Sequence, residues 1–217
     1  MKRLIIICEG PTEQEFCKHV LVPYFYNVGI RLFYPLIRHS HGGIVCWNIL
    51  KKEIETYLKN EKKAFVTTFI DYYGLYSKHD FPLWEKAESI QIKNRRIDTI
   101  EDGMKRDISD TLRDRFIPYI QLHEFEGLLF NNINVFTQQI PLGDLNIEEL
   151  EQTINDYPNP EMINNGAETS PSHRLEKLIL GYNKIVYGAI LAETIGLTNI
   201  RTKCPRFNMW ICQLENI

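Results

Sequence analysis

The chain reads as an α/β protein: a central, mostly parallel sheet flanked by helices, with a mainly helical C-terminal third. Three observations carry this reading. The apolar runs Leu4-Ile5-Ile6-Ile7-Cys8 and Ala64-Phe65-Val66-Thr67-Thr68-Phe69-Ile70 lack the alternation of a half-solvated strand and read as parallel strands covered on both faces. Strand and helix patterns alternate up to about residue 130. Beyond it only helical spacings recur. The expected organisation is an α/β core over 1–135 and a helical extension over 136–217, packed on the core as one structural unit.

The first strand ends at Glu9-Gly10-Pro11-Thr12-Glu13. Thr12 to Glu15 has the form of a capping box, with Thr12 as the cap and Glu15 reaching back. Phe16, Val20, Leu21 and Phe25 continue that helix to about Tyr26. Arg31 to Ile37 reads as a second strand, Gly42-Gly43 as a turn, and Ile44 to Leu58 as a helix. The third strand, Ala64 to Ile70, ends in Asp71 and a loop over Tyr72 to Tyr76 that Pro82 closes. Ile97, Ile100, Met104, Ile108 and Leu112 form one apolar stripe within a helical region over 84–112, which Gly103 weakens. Phe116 to Gln121 is the fourth strand, and its Pro118 marks an edge or an irregular start. A turn from His123 then leads into a short helix. In the last third, helices are expected over about 147–155, from Ser170-Pro171, over Ile185 to Ile195 before Gly196, and over Phe207 to Leu214. A polar loop separates the first two, from Asn159 to Pro171.

Composition narrows the classes. Apolar residues make up 44%, enough for a sizeable core. A net charge of −3 is a poor electrostatic footprint for gripping nucleic acid without a local basic patch or a partner. No apolar run approaches the roughly 20 residues of a membrane span. The N-terminal run is shorter than a signal peptide requires, and acids rather than small residues follow it. Cys8, Cys17, Cys46, Cys204 and Cys212 form no CxxC pair and are odd in number, which points to reduced thiols in a cytoplasmic protein. His39 and His41 near Cys46 match no strong zinc spacing.

The acids carry the chemistry. Glu9 and Asp71 both follow apolar strands, at the carboxyl ends where open α/β sheets bind ligands. Neighbouring parallel strands lie about 4.8 Å apart, which brings two such carboxylates together. Close carboxylates repel unless a cation neutralises them. Mg²⁺ or Mn²⁺ suits hard oxygen ligands with water completing the shell. Such an ion activates water and stabilises the leaving oxygen in phosphodiester cleavage. Glu13 admits two readings, a third ligand or a charge favoured by the helix dipole. Glu124 and Glu126 flank Phe125 in an apolar segment, where a solvated face explains neither; one is a candidate ligand. His123 reads either as an orienting neighbour or as a hydrogen-bonded core histidine.

Glu9-Gly10-Pro11-Thr12-Glu13, Phe69-Ile70-Asp71-Tyr72-Tyr73-Gly74 and Tyr119 through Glu126 resemble, in order, the bacterial domain-of-unknown-function family 4276. The resemblance continues through Ser172-His173-Arg174-Leu175-Glu176, Tyr182-Asn183-Lys184 and Arg201 through Phe207. It implies a Toprim-like (Rossmann-like) fold, related to the overcoming-lysogenisation-defect nucleases, and a metal-dependent nuclease acting in anti-phage defence, often beside an ABC-type ATPase. The Toprim pattern pairs a glutamate with an Asp-x-Asp. Glu9 and Asp71 match it, whereas Tyr73 stands in place of the second aspartate. Glu13 is similar to an extra acid of the defence nucleases, and Glu124 or Glu126 would replace the lost ligand. Lys184 resembles their C-terminal lysine, which would stabilise phosphorane charge, although an exposed surface lysine is the plainer reading.

The expected assignment is Glu9, Asp71 and Lys184 as catalytic residues, with Glu9, Glu13, Asp71, Glu124 and Glu126 as metal ligands. Gly10, Arg174 and Arg206 are the expected substrate contacts, the arginines belonging to a basic bias that also reads as a solvated face. Lys93, Arg95 and Arg96 form another basic cluster. The chain has no Walker A loop, so nucleotide hydrolysis would come from a partner. Two alternatives stay open: a catalytically silent subunit docking on an ATPase, and a metal-dependent phosphoesterase for a small substrate. DNA and RNA are equally compatible as substrates, and a homo-oligomer is compatible with the sequence.

Overall fold

The structure, a computed structural model, describes the 217-residue chain except for residues 39, 41, 42, 164, 165 and 167. His39, His41 and part of the expected Gly42-Gly43 turn lie outside the described residues, as does part of the Asn159 to Pro171 loop.

Among the described residues five strands build one parallel sheet: β1 (Lys2–Cys8), β2 (Ile30–Phe33), β3 (Ala64–Asp71), β4 (Phe116–Ile117) and β5 (Ile120–Gln121). The order is β2-β1-β3-β4, with β5 also pairing β3. The chain therefore leaves β1 toward one side for β2 and returns to its other side for β3. The crevice at the carboxyl ends of β1 and β3 is a topological switch point. The register sets Cys8 beside Phe69, and Glu9 N–H donates to Phe69 O at 3.0 Å.

Both faces of β1 are covered, as its unbroken apolar run requires. Leu4, Ile6 and Cys8 pack with Phe16, Leu21, Phe25, Leu191, Phe207 and Trp210, while Ile5 and Ile7 pack with Leu50, Ile54, Ile97 and Met104. This is the period-two alternation of a strand buried on both sides. Each large side chain so buried contributes roughly 1.5–3 kcal/mol. One face is covered by α3 (Trp47–Asn60) and α5 (Lys93–Asp107). The other carries a continuous helical stretch of α1 (Pro11–Phe16), a π-helical turn (Cys17–Leu21) and α2 (Val22–Asn27), together with helices of the last third.

Several boundaries differ from expectation for identifiable reasons. Pro118 has no N–H, so the fourth strand splits into β4 and β5. Thr68 fills the gap: its hydroxyl accepts from Tyr119 N–H at 3.0 Å and donates to Tyr119 O at 2.8 Å. The second strand stops at Phe33 and resumes only as a bridge between Cys8 and Leu36. The region 84–112 divides into α4 (Trp84–Glu88), α5 and α6 (Asp110–Arg113). Gly103 sits in α5 because a Cβ there would lie 2.8 Å from Pro82 O. The cap is Gly10, not Thr12: α1 starts at Pro11, and Glu13, not Glu15, reaches back, its Oε2 accepting from Gly10 N–H at 2.8 Å. Glu15 instead pairs with Lys18 and His19 on the surface.

The last third holds α7 (Ile133–Gln139) and α11 (Leu197–Lys203), both without a sequence expectation, and α8 (Ile147–Asp156). It also holds α9 (Pro171–Leu178), α10 (Lys184–Ile195) and α12 (Pro205–Glu215). Ser170 caps α9 and Asn183 caps α10. This part joins the core directly. Trp210 Nε1 donates to Thr67 Oγ1 at 2.9 Å and its indole stacks on Tyr119 at 4.2 Å. Among the described residues no helix is long and apolar enough to cross a membrane.

The helix α10 approaches α1 over Gly188, where a Cβ would come 3.0 Å from Thr12 Cγ2 and 3.4 Å from Phe125 Cε1. Gly188→Val is therefore expected to destabilise the fold by about 1–3 kcal/mol through overpacking, read as a lower urea midpoint at unchanged slope.

Candidate active site

Four carboxyl groups come to the switch point from four different segments. Glu9 follows β1, Glu13 lies in the first turn of α1, Asp71 ends β3, and Glu126 lies in a 3₁₀ turn (Phe125–Leu129) after β5. Glu13, Asp71 and Glu126 are 4%, 7% and 0% exposed. Backbone N–H groups fix one oxygen of three of them. Asp71 N–H donates to Glu9 Oε2 at 2.9 Å, Phe125 N–H to Asp71 Oδ1 at 2.9 Å, and Gly10 N–H to Glu13 Oε2 at 2.8 Å. Gly10 suits its place, because a Cβ there would press on Glu13 Oε2 at 3.2 Å. The turn that aims Phe125 and Glu126 starts at His123, whose φ of +66° is uncommon for a residue with a Cβ.

One ammonium meets these acids. Lys184, the first residue of α10, places Nζ 3.1 Å from Glu126 Oε1. Glu126 Oε2 is buried without a hydrogen-bond partner among the described residues. Electrostatics reflects the crowding. Burial raises Glu9 to about 7, and Glu126 adds to the rise against the opposing pull of the Asp71 N–H and Lys184. Burial, then Glu9 and Glu126, raise Glu13 to about 8. Asp71 is pushed well above the carboxylate range by burial, then by Glu13 and Glu9. Burial raises Glu126 as well, opposed by Lys184. Burial disfavours the charge of Lys184, but Glu126, Asp71 and Glu13 outweigh it and hold the ammonium above the usual lysine range.

The remaining expected site residues are placed elsewhere or otherwise engaged. Both oxygens of Glu124 accept from Ser172, Oε2 from its N–H and Oε1 from its hydroxyl, each at 2.9 Å, so Glu124 anchors the start of α9. Arg206 corrects the expectation of a substrate contact. It is 5% exposed, its guanidinium pairs with Asp98 and Glu101, and its Nε donates to Ile120 O. Glu161 accepts the N–H groups of Arg206 and Phe207 and so caps α12. Arg174 donates to Thr169 O at 2.9 Å and lies over the Tyr157 ring. Tyr73, in place of a second aspartate, donates its N–H to His123 O at 2.8 Å. His123 is buried, and its Nε2 accepts from Lys93 Nζ at 3.3 Å; burial, then Lys93, lower it to about 4, so the ring is neutral. The Lys184–Glu126 pair had no local signal in the sequence, since 58 positions separate its members; only the family pattern marked Lys184.

Among the described residues no three of these donors converge tightly enough to enclose an ion by themselves. The fit is to a hard cation that keeps most of its water and takes one or two carboxylates. The donor set is all oxygen, and the unpartnered Glu126 Oε2 is the buried acceptor such a hydrated ion would meet.

The fold and this crevice define an open parallel α/β protein with an acidic, lysine-closed centre at its switch point. The chain belongs to the family described as "Domain of unknown function (DUF4276)", whose model matches residues 8–215. No curated protein matches it. A solved structure, the C-terminal region of the Burkholderia pseudomallei OLD protein, is similar over 99% of this chain and 99% of its own, with 14% identity and a TM-score of 0.47. A likeness at that level says nothing about chemistry, which rests on the geometry of the site.

The raised acids make stability depend on pH. The folded state keeps protons on Glu9 and Glu13 that the unfolded chain releases near 4.5. Their contribution is complete below that value and is lost as pH rises through about 7 to 8. The melting temperature of the metal-free protein is expected to fall between pH 5 and 8, and Glu9→Gln to flatten part of that fall. A melting temperature that rises over this interval in both proteins would contradict the assignment. Lys184→Met is expected to cost more at pH 8 than at pH 5, by about 1–2 kcal/mol, a buried-pair loss discounted for the lysine being 44% exposed.

Proposed function

We propose that the protein is a Toprim-like, Mg²⁺- or Mn²⁺-dependent nuclease that hydrolyses phosphodiester bonds in nucleic acid, acting as an effector of anti-phage defence. The observation that carries the reading is the convergence of Glu9, Glu13, Asp71 and Glu126 at the switch point, opposed by the ammonium of Lys184. Glu126 with one of Glu9 and Asp71 would hold the hydrated ion, with the remaining acids beside it. When bound, it supplies Lewis-acid polarisation of the phosphoryl oxygens and a water of lowered pKa. The residues do the rest. The carboxylates orient water for attack on phosphorus, so that one O–P bond forms as the ester P–O bond breaks. Lys184 faces the charge that accumulates on the phosphoryl oxygens. An ABC-type ATPase is the proposed partner, in keeping with the family resemblance.

Two observations favour a second reading. Tyr73 replaces an acid, and no closed set of three donors exists among the described residues. On that reading the chain is a catalytically silent subunit that docks on an ATPase.

Cleavage of plasmid, linear DNA and total RNA with Mg²⁺ or Mn²⁺ separates them. The nuclease reading expects cleavage that Glu9→Gln and Asp71→Asn abolish and that Lys184→Ala lowers by about 100-fold. Glu124→Gln should keep most of the activity, because its partner is Ser172. Metal binding without cleavage would favour a small phosphoester substrate or a missing partner. Absence of both binding and cleavage would overturn the nuclease reading and favour the docking subunit.

A further inference from the structure

Three buried polar atoms in one neighbourhood make no hydrogen bond, of which Glu126 Oε1 meets the Lys184 ammonium as an ion pair and two are left with no partner. The Tyr182 hydroxyl has none among the described residues, and neither does Glu126 Oε2. Each unmet group of this kind costs about 1–3 kcal/mol. The two are complementary in type, since a carboxylate oxygen accepts and a phenol both donates and accepts, yet they are not bonded to each other. A shared third partner resolves both deficits.

The chain places them together and holds the phenol still. Tyr182 lies two residues before Lys184, whose Nζ is 3.1 Å from the other oxygen of Glu126. Its ring stacks on Tyr187 in α10, with centroids 5.8 Å apart and planes at 17°. Asn183, between Tyr182 and Lys184, caps α10 by accepting from Val186 N–H at 3.0 Å. Tyr182, Lys184 and the cap thus form one rigid corner against Glu126. The acids facing the phenol are Glu126, Glu176 and Glu124; after burial, Glu126 acts on it most strongly.

We propose that Tyr182 is a positioning residue of the carboxylate site, its hydroxyl hydrogen-bonding a water in the shell of a divalent cation held at Glu126. This rests on the metal-dependent reading above. A partner for the hydroxyl arrives with the hydrated ion, so Tyr182 tightens binding and orients water without itself being a ligand.

The test is Mn²⁺ titration by calorimetry, with thermal melts of the metal-free protein, on the full chain as wild type, Tyr182→Phe and Tyr187→Phe. Tyr182→Phe is expected to lose about tenfold in Mn²⁺ affinity, the usual lower effect of removing an outer partner. Its metal-free melting temperature should stay level or rise, because the substitution removes an unpaired buried hydroxyl. Tyr187→Phe should bind Mn²⁺ as the wild type does. Unchanged Mn²⁺ affinity in Tyr182→Phe would overturn the proposal while leaving the metal reading intact. A metal-free melting temperature lowered by several degrees would also overturn it, since the hydroxyl would then have a structural partner without the ion. Failure of the wild type to bind Mn²⁺ would overturn the metal reading and this proposal with it.

Discussion

Carboxylates gathered in low-dielectric surroundings are the constraint on which the molecule turns. Burial and mutual repulsion both act against their ionisation. At Glu9 and Glu13 burial and repulsion prevail, and the two keep their protons up to about pH 7 and 8. Lys184 is the counterweight, and it comes from the C-terminal third. Placing it requires α10 to lie close on α1, which Gly188 permits, and α12 to be fastened to the sheet through Trp210 and Thr67. The helical third therefore supplies a wall of the crevice and shares one hydrophobic core with β1 and α1.

The acids are also oriented before any ligand arrives. The N–H of Asp71 holds Glu9, that of Phe125 holds Asp71, and that of Gly10 holds Glu13. Each acid is thus tied to a backbone segment that brings another part of the site, so a shift in β3 or in the turn after β5 would be felt by its neighbours. The left-handed backbone at His123 is part of this arrangement, since it reverses the chain directly before Glu124 and Phe125. Fixed dipoles of this kind favour the carboxylate form of the oxygens they meet and hold each group in one orientation.

Much of this was legible in the sequence, and the limits have physical causes. The apolar runs ending in Glu9 and Asp71 located the first and third strands and the crevice, because a doubly covered strand leaves a continuous pattern. Ser170-Pro171 and Gly196 marked helix ends through their backbone chemistry. Local patterns failed where tertiary contacts decided. Which of Glu124 and Glu126 faces the other acids depended on Ser172 and Lys184, both distant in the chain. Arg206 looked like a phosphate contact by composition, but its buried guanidinium is engaged by Glu101 and by Asp98 at the surface. The Thr12 to Glu15 pattern and the Gly10–Glu13 arrangement overlap, and Pro11 at the first helical position decided between them.

The central claim is that these acids are held with raised proton affinity so that a divalent cation can replace their protons. The most direct measurement is proton release on Mn²⁺ binding, from calorimetric titrations near pH 7 in two buffers of different ionisation enthalpy. Net release of protons on binding is expected, diminished in Glu9→Gln. Binding with no proton release, or no binding at all, would contradict it.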